Sequence, residues 1–196
     1  MARKEYLTLE ERNRFENPPQ LLAEQKGLFL QLPEWANNYL KTLQTPTNQV
    51  GFLLQLGYFR VVSRFFLSNR FIQSDIDYII TGIMVDPNQV NMTDYVGGTF
   101  RRHQEDILGH LGYAGFDEEA SALVSFEMKR MVSLRTEPVL IMEAVITFLE
   151  EHRIELPGYA TLRTLLEKSF RHFERELEEI LAKYLLLEDR CLFMSK

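Results

Sequence analysis

TEPVLIMEAVITFLEEHRIELPGYATLRTLLEKSFRHFERELEEILAKY, residues 136–184, is the stretch that decides the fold class. It holds an apolar segment, a corner at Leu156-Pro157-Gly158, and a longer segment with apolar residues at helical spacing. Apolar residues three and four apart predict two helices, and Pro-Gly predicts the break between them. A helix, a sharp corner and a second helix with a polar face is the plan of a helix-turn-helix reader of DNA, although ordinary helical hairpins share it.

At about 100° per residue, Leu162, Leu166, Phe173, Leu177, Ile180 and Tyr184 fall on one side of the second helix. Thr161, Thr164, Lys168, Arg171, His172 and Arg175 fall on the other, with Glu167, Glu174 and Glu178 at the flank and Arg163 between the two sides. Arg suits bidentate contacts, and Thr and Lys suit phosphates or base edges. The plainer reading is a solvated face laced with pairs such as Glu167–Arg171. Past Leu166 the apolar residues Phe170, Phe173, Leu177, Ile180 and Tyr184 form a heptad-like seam. It fits a neighbouring or a partner helix, and packing within the chain is expected.

Outward from this stretch the chain reads as further helices. Thr8 with Glu11 makes a capping box, and Asn17-Pro18-Pro19 ends that helix. Pro33 begins the next, and Thr45-Pro46 begins TNQVGFLLQLGYFRVVSRFF. There Val50, Leu53, Leu54, Leu56, Phe59, Val61 and Val62 cannot share one stripe, so this helix is expected to be buried on all sides. After a loop over 63–70, Ser74 is expected to cap a helix running to about Met84. Asp86-Pro87-Asn88 and Gly97-Gly98 mark 85–98 as the expected linker, which gives two modules, 1–90 and 91–196. Thr99, Asp117 and Thr136 are expected to cap the later helices, and Gly112 to end one. No segment shows the strict alternation of a strand. The expected fold is all-α, with two helix-turn-helix-like modules.

The 196 residues are 45% hydrophobic and 26% charged, ordinary for a globular protein. The net charge of −6 argues mildly against nucleic acid, but a local basic stripe does the binding. The single Cys191 fits a reducing compartment. With no signal peptide and no apolar run of about 20 residues, the expectation is a cytoplasmic protein with no membrane partner. His103, His110, His152 and His172 lack metal-ligand spacing, and no phosphate-binding Gly-Lys motif occurs. Gly97-Gly98-Thr99 before Arg101 and Arg102 suits either a phosphate cradle or a joint with an N-cap. No catalytic residue, metal or cofactor is expected, and the chain does not read as an enzyme.

Three stretches in order, residues 47–66, 99–117 and 150–170, resemble the N-terminal region, a domain of unknown function, of replicative transposases of class II transposons, the Tn-three family. The motifs are Asn48 to Leu56, Arg102 to Gly112 and Arg153 to Leu162. The resemblance implies binding of double-stranded DNA at the terminal inverted repeats during transposition. It also implies that cutting and joining belong to a separate metal-dependent domain, for which this chain has no counterpart. Helix geometry then nominates the contacts. In the first module these are Thr47, Asn48 and Gln49 at a helix start, and Arg64, Asn69, Arg70, Gln73 and Ser74 at a corner. In the second they are Arg101, Arg102, Tyr159, Thr161, Thr164, Lys168, Arg171 and Arg175. The alternative is a truncated, non-catalytic interaction module that pairs with full-length transposase or with a second copy of itself.

Overall fold

A computed structural model describes residues 6–194, with their side chains except at position 14 and beyond Tyr184. The chain is all-α. Its α-helices are α1 Leu9–Glu16, α2 Glu34–Thr42, α3 Pro46–Val62, α4 Gln73–Ile83, α5 Gly97–Leu111, α6 Glu118–Ser133, α7 Pro138–Glu151 and α8 Tyr159–Met194. Short 3-10 turns lie among the connections, and among the described residues the β pairing is one isolated parallel bridge, Ala114 with Ile154.

Helix starts follow local chemistry where a side chain can reach a free backbone N–H. Thr8 and Glu11 form the full capping box on α1. Thr45 accepts from the Asn48 N–H at 3.2 Å, with Pro46 just inside α3. Asp117 accepts from the Ala120 N–H at 2.9 Å on α6, and Gly112 ends α5 at φ 69°. Three expected caps fall elsewhere. Helix α4 starts at Gln73, so Ser74 is already helical and its hydroxyl accepts from Lys26 Nζ at 2.9 Å. Helix α5 starts at Gly97, two residues before Thr99. Helix α7 starts at Pro138, and Thr136 instead donates its N–H to the Met131 carbonyl at 3.1 Å.

Contacts divide the chain into two units, and not at the expected 90/91 boundary. One unit comprises residues 7–116 with 149–158, and the other Tyr6, residues 117–148 and α8. The segment expected as a linker is part of the first core. Thr47 donates its hydroxyl to the Gln89 carbonyl at 3.2 Å and accepts the Asn91 N–H at 3.0 Å, and Tyr95 is fully buried. Helix α5 packs on α3 within that unit.

In the first unit α3 is buried at every position from 50 to 59, as its all-round apolar pattern requires, but the last turn departs from the expectation, with Val61 39% exposed. Two glycines allow aromatic rings to lie on the helix. A Cβ at Gly51 would come 2.6 Å from the Tyr95 ring, and one at Gly57 would overlap the Phe29 ring. Polar groups on α3 find partners in the surrounding layer. Tyr58 donates to Asp75 Oδ2 at 2.8 Å, and Lys26 Nζ lies 2.7 Å from Asp75 Oδ1. Burial, then the Asp75 hydrogen bond, push the Tyr58 hydroxyl above its usual range. Gln55 Nε2 donates to the Phe66 carbonyl at 3.1 Å.

In the second unit α6 packs along α8. On α6, Ala120, Val124, Met128 and Val132 are buried at four-residue spacing, and Ile141, Met142 and Val145 on α7 and Leu162, Leu165, Leu166 and Ser169 on α8 are buried too. Tyr6 donates its N–H to the Tyr159 hydroxyl at 3.3 Å and stacks on Phe170 with ring centroids 6.1 Å apart. At 1.5 Å per residue α8 is about 54 Å long and α6 about 24 Å. The expected packing of the apolar seam within the chain therefore fails beyond Phe173. Leu177 is 38% exposed, Ile180 48% and Tyr184 67%.

Two stability outcomes follow from these contacts. Gly57→Ala overpacks the α3–Phe29 contact and lowers unfolding free energy by about 1–3 kcal/mol, read from denaturant midpoints. Met84 ends α4 at φ 56° with its side chain 90% exposed, so Met84→Gly relieves backbone strain and raises stability by about 1 kcal/mol.

Candidate nucleic-acid interface

Thr161, Thr164, Lys168, Arg171 and Arg175 succeed one another at spacings of three and four on α8, and all are exposed. They lie on the helix face opposite buried Leu162, Leu166 and Ser169. Among the described residues no carboxylate pairs with Lys168, Arg171 or Arg175. The pair expected between Glu167 and Arg171 is not formed. Glu167 instead lies 3.4 Å from Arg163 Nε, and Arg171 Nε donates to the Glu167 carbonyl at 3.3 Å. His172 faces Glu176 at 3.4 Å. Thr164 turns its hydroxyl to the Ala160 carbonyl at 2.8 Å, leaving its oxygen lone pairs free to accept. The result is three cationic groups and two hydroxyls along about 21 Å of one helix.

The connection before this helix differs from the short turn of a helix-turn-helix motif, which has three or four residues. Residues 152–158 separate α7 from α8, and they run as a hydrogen-bonded strut in the first unit. The Ala114 N–H donates to the Arg153 carbonyl and the Glu155 N–H to the Ala114 carbonyl, both at 2.9 Å. The Leu156 N–H donates to the Ser63 carbonyl, also at 2.9 Å. Residues 63–72, between α3 and α4, are longer still.

Three nominated contacts are engaged inside the fold. Thr47 bridges the 89–91 segment, as described above. Tyr159 is 1% exposed and accepts from Tyr6. Arg64 lies over the Phe15 and Phe66 rings, 4.9 and 5.3 Å from their centroids, and donates to the Phe15 carbonyl. Burial lowers its pKa from the usual arginine range, opposed by Glu16 and Glu155. These side chains hold the protein together, and burial was not readable from their position at helix starts and corners.

The others in the first unit reach the surface in separate places. Arg70 is exposed and donates to Asn17 Oδ1 at 3.3 Å, and Asn69 and Ser74 are exposed near it in sequence. Arg101 lines a hollow of about 200 Å³ with Ser68, Val96 and Phe100. Asn48 and Arg102 meet in a cleft of about 510 Å³, together with Tyr39, Gln44, Thr45 and Asp106. Tyr39 and Asp106 were not nominated from sequence. Arg102 and Asp106 are one helical turn apart, which could have signalled the second of them, but nothing near Tyr39 announces that its hydroxyl donates to Asp106. Burial and that hydrogen bond push the Tyr39 hydroxyl up to about 12, so it stays a donor at neutral pH.

Behind this cleft His103 is fully buried among Tyr39, Phe52 and Tyr95. Its Nδ1 is 2.8 Å from the Tyr95 hydroxyl, and its Nε2 has no partner among the described residues. Burial, then the Arg102 charge, lower its pKa to about 4, with Asp106 opposing. No described group of His, Cys, Asp or Glu could hold a metal ion, and Cys191 lies beyond the described side chains. No described helix is long and apolar enough to cross a membrane.

Because the folded pKa of His103 lies below the unfolded value near 6.5, the unfolded chain binds the extra proton first. Stability from this group is complete above about pH 6.5 and is lost as pH falls towards 4. The loss is at most roughly 3 kcal/mol. Thermal unfolding followed from pH 7 to 4 tests this, with His103→Gln flattening that part of the slope.

The chain belongs to the family described as Domain of unknown function (DUF4158), whose model matches residues 6–168. No curated protein matches it.

Proposed function

We propose that this member of the DUF4158 family binds double-stranded DNA, as the part of a transposase that recognises a transposon's terminal inverted repeats. The observation that carries the proposal is the exposed row Thr161, Thr164, Lys168, Arg171 and Arg175 on one face of α8. Cations without carboxylate partners suit phosphates, which supply most of the affinity, while Arg and Thr also suit base edges. A helix is the element that fits the major groove, and α8 presents this face over its first five turns. The linked motifs at 48–56, 102–112 and 153–162 connect the DNA reading to transposon ends through the transposase resemblance. Arg101, Arg102, Asn48, Asn69, Arg70 and Ser74 are secondary contacts to the same class of ligand. The role is holding DNA, with strand cutting left to the separate domain that resembling transposases have.

Selection from a random duplex pool, then anisotropy on the enriched duplex over a salt series, tests the reading. The logarithm of affinity falls linearly with the logarithm of salt concentration, as counterion release requires. Lys168→Ala weakens all duplexes about equally and reduces the salt slope by about one. Arg171→Ala also relaxes preference at one base position, by about 1–3 kcal/mol. Absence of duplex binding at low salt, or binding unchanged when Lys168, Arg171 and Arg175 are all replaced by Ala, would sink the proposal.

A further inference from the structure

We propose that copies of this chain associate through the second half of α8 as a parallel, in-register coiled coil. The inference is independent of DNA binding. Phe170, Phe173, Leu177, Ile180 and Tyr184 keep alternating spacings of three and four, and the sequence holds that register through Leu187, Cys191 and Met194, on a backbone that is helical to Met194. Beyond Phe170, which stacks on Tyr6 within the chain, both seam positions stay apolar from Leu177 to Met194, about two and a half heptads, as a coiled-coil seam requires. The exposure of the face agrees. It is covered where α8 has neighbours, and rises from 38% at Leu177 through 48% at Ile180 to 67% at Tyr184. Leu181, beside the seam, is 60% exposed. A solvated helix carrying such a face without a partner would forgo its burial free energy, about 25 cal/mol per Å² of apolar surface.

The flanking charges choose the occupant and its direction. With Leu177 at a and Ile180 at d, Lys183 takes a g position and Glu188 the e position of the next heptad. Two copies in parallel register set each Lys183 against the other copy's Glu188. An antiparallel pair centred on the same seam sets Lys183 against Lys183 and Glu174 against Glu188, which repel and outweigh the one attractive pairing there, Glu176 with Arg190. Leu at a followed by Ile at d also suits assemblies of more than two strands, so the number of copies is read from mass.

The chain's single cysteine supplies a built-in probe. In the sequence register Cys191 falls at an a position, so parallel, in-register pairing sets the two Cys191 positions at the same level of the seam. In the antiparallel pair they lie about 27 Å apart along the axis. The test combines sedimentation equilibrium of the whole chain with cross-linking by a bis-maleimide of about 10 Å reach, a span that bridges side chains meeting at a two-helix seam, where helix axes lie 8–10 Å apart. The expected mass is a whole multiple of 23.1 kDa with a covalent dimer on a denaturing gel. Tyr184→Glu, at a site too exposed to unfold the monomer, and the double variant Leu177→Asp with Ile180→Asp sediment as monomers and lose the cross-link, with helical circular dichroism retained. A monomer at high micromolar concentration, an assembly without the cross-link, or an assembly that survives Tyr184→Glu with its cross-link overturns the proposal.

Discussion

Helix α3 has no solvent face over residues 50–59, and the first unit is the consequence. A helix apolar on every side can exist in water only if other elements enclose it. The turn at Gln25–Phe29, α4, α5 and the turn at Met92–Asp94 do so, and α2 adds Ala36 to the same core. Enclosure also explains the polar fittings. A tyrosine on a buried helix must place its hydroxyl, and Tyr58 does so on Asp75, which Lys26 neutralises. The two close ring contacts at Gly51 and Gly57 let the enclosing layer approach the α3 backbone. Two buried atoms in this unit escape that satisfaction, Gln55 Oε1 on α3 itself and His103 Nε2, neither of which has a partner among the described residues.

Helix α8 works on the opposite principle. It outruns α6, along which it packs, so its surface separates along the axis as well as around it. Its first turns bury Tyr159, Leu162 and Leu166, and the reverse side of the same turns presents the row from Thr161 to Arg175. Its later turns keep the apolar spacing but lose the cover. A buried face on one side and cations on the other fix the orientation of the row without any help from the row itself. That suits a surface that meets a rigid, charged ligand, because side-chain positions are set before contact.

Much of this was legible in the sequence because periodicity and caps are local. The all-round pattern of α3, the starts at Thr8, Thr45 and Asp117, the stop at Gly112 and the two faces of α8 all depend on residues within a turn or two of each other. What was not legible depends on distant partners. Gly97-Gly98 and Pro87 read as a linker, yet the segment between them is fastened by Thr47, some forty residues earlier in the chain. Arg64 and Tyr159 carry groups suited to DNA, but Phe15, Phe66 and Tyr6 claim them. Pro157-Gly158 signalled a tight corner. The corner is instead a strut, because Ala114 and Ser63 supply backbone partners that no local pattern announces. The seam beyond Phe173 was expected to be covered from within, and helix lengths, not spacing, decide that it is not.

The most direct measurement is methyl NMR of threonine on addition of a mixed-sequence duplex at low salt. Thr161 and Thr164 stand in the row on α8, whereas Thr47 is 8% exposed and tied to Gln89 and Asn91. If the row on α8 holds DNA, the Thr161 and Thr164 methyls shift, saturate with duplex and return with salt, while the Thr47 methyl stays in place. Saturable binding that leaves Thr161 and Thr164 unmoved would contradict that role for the row.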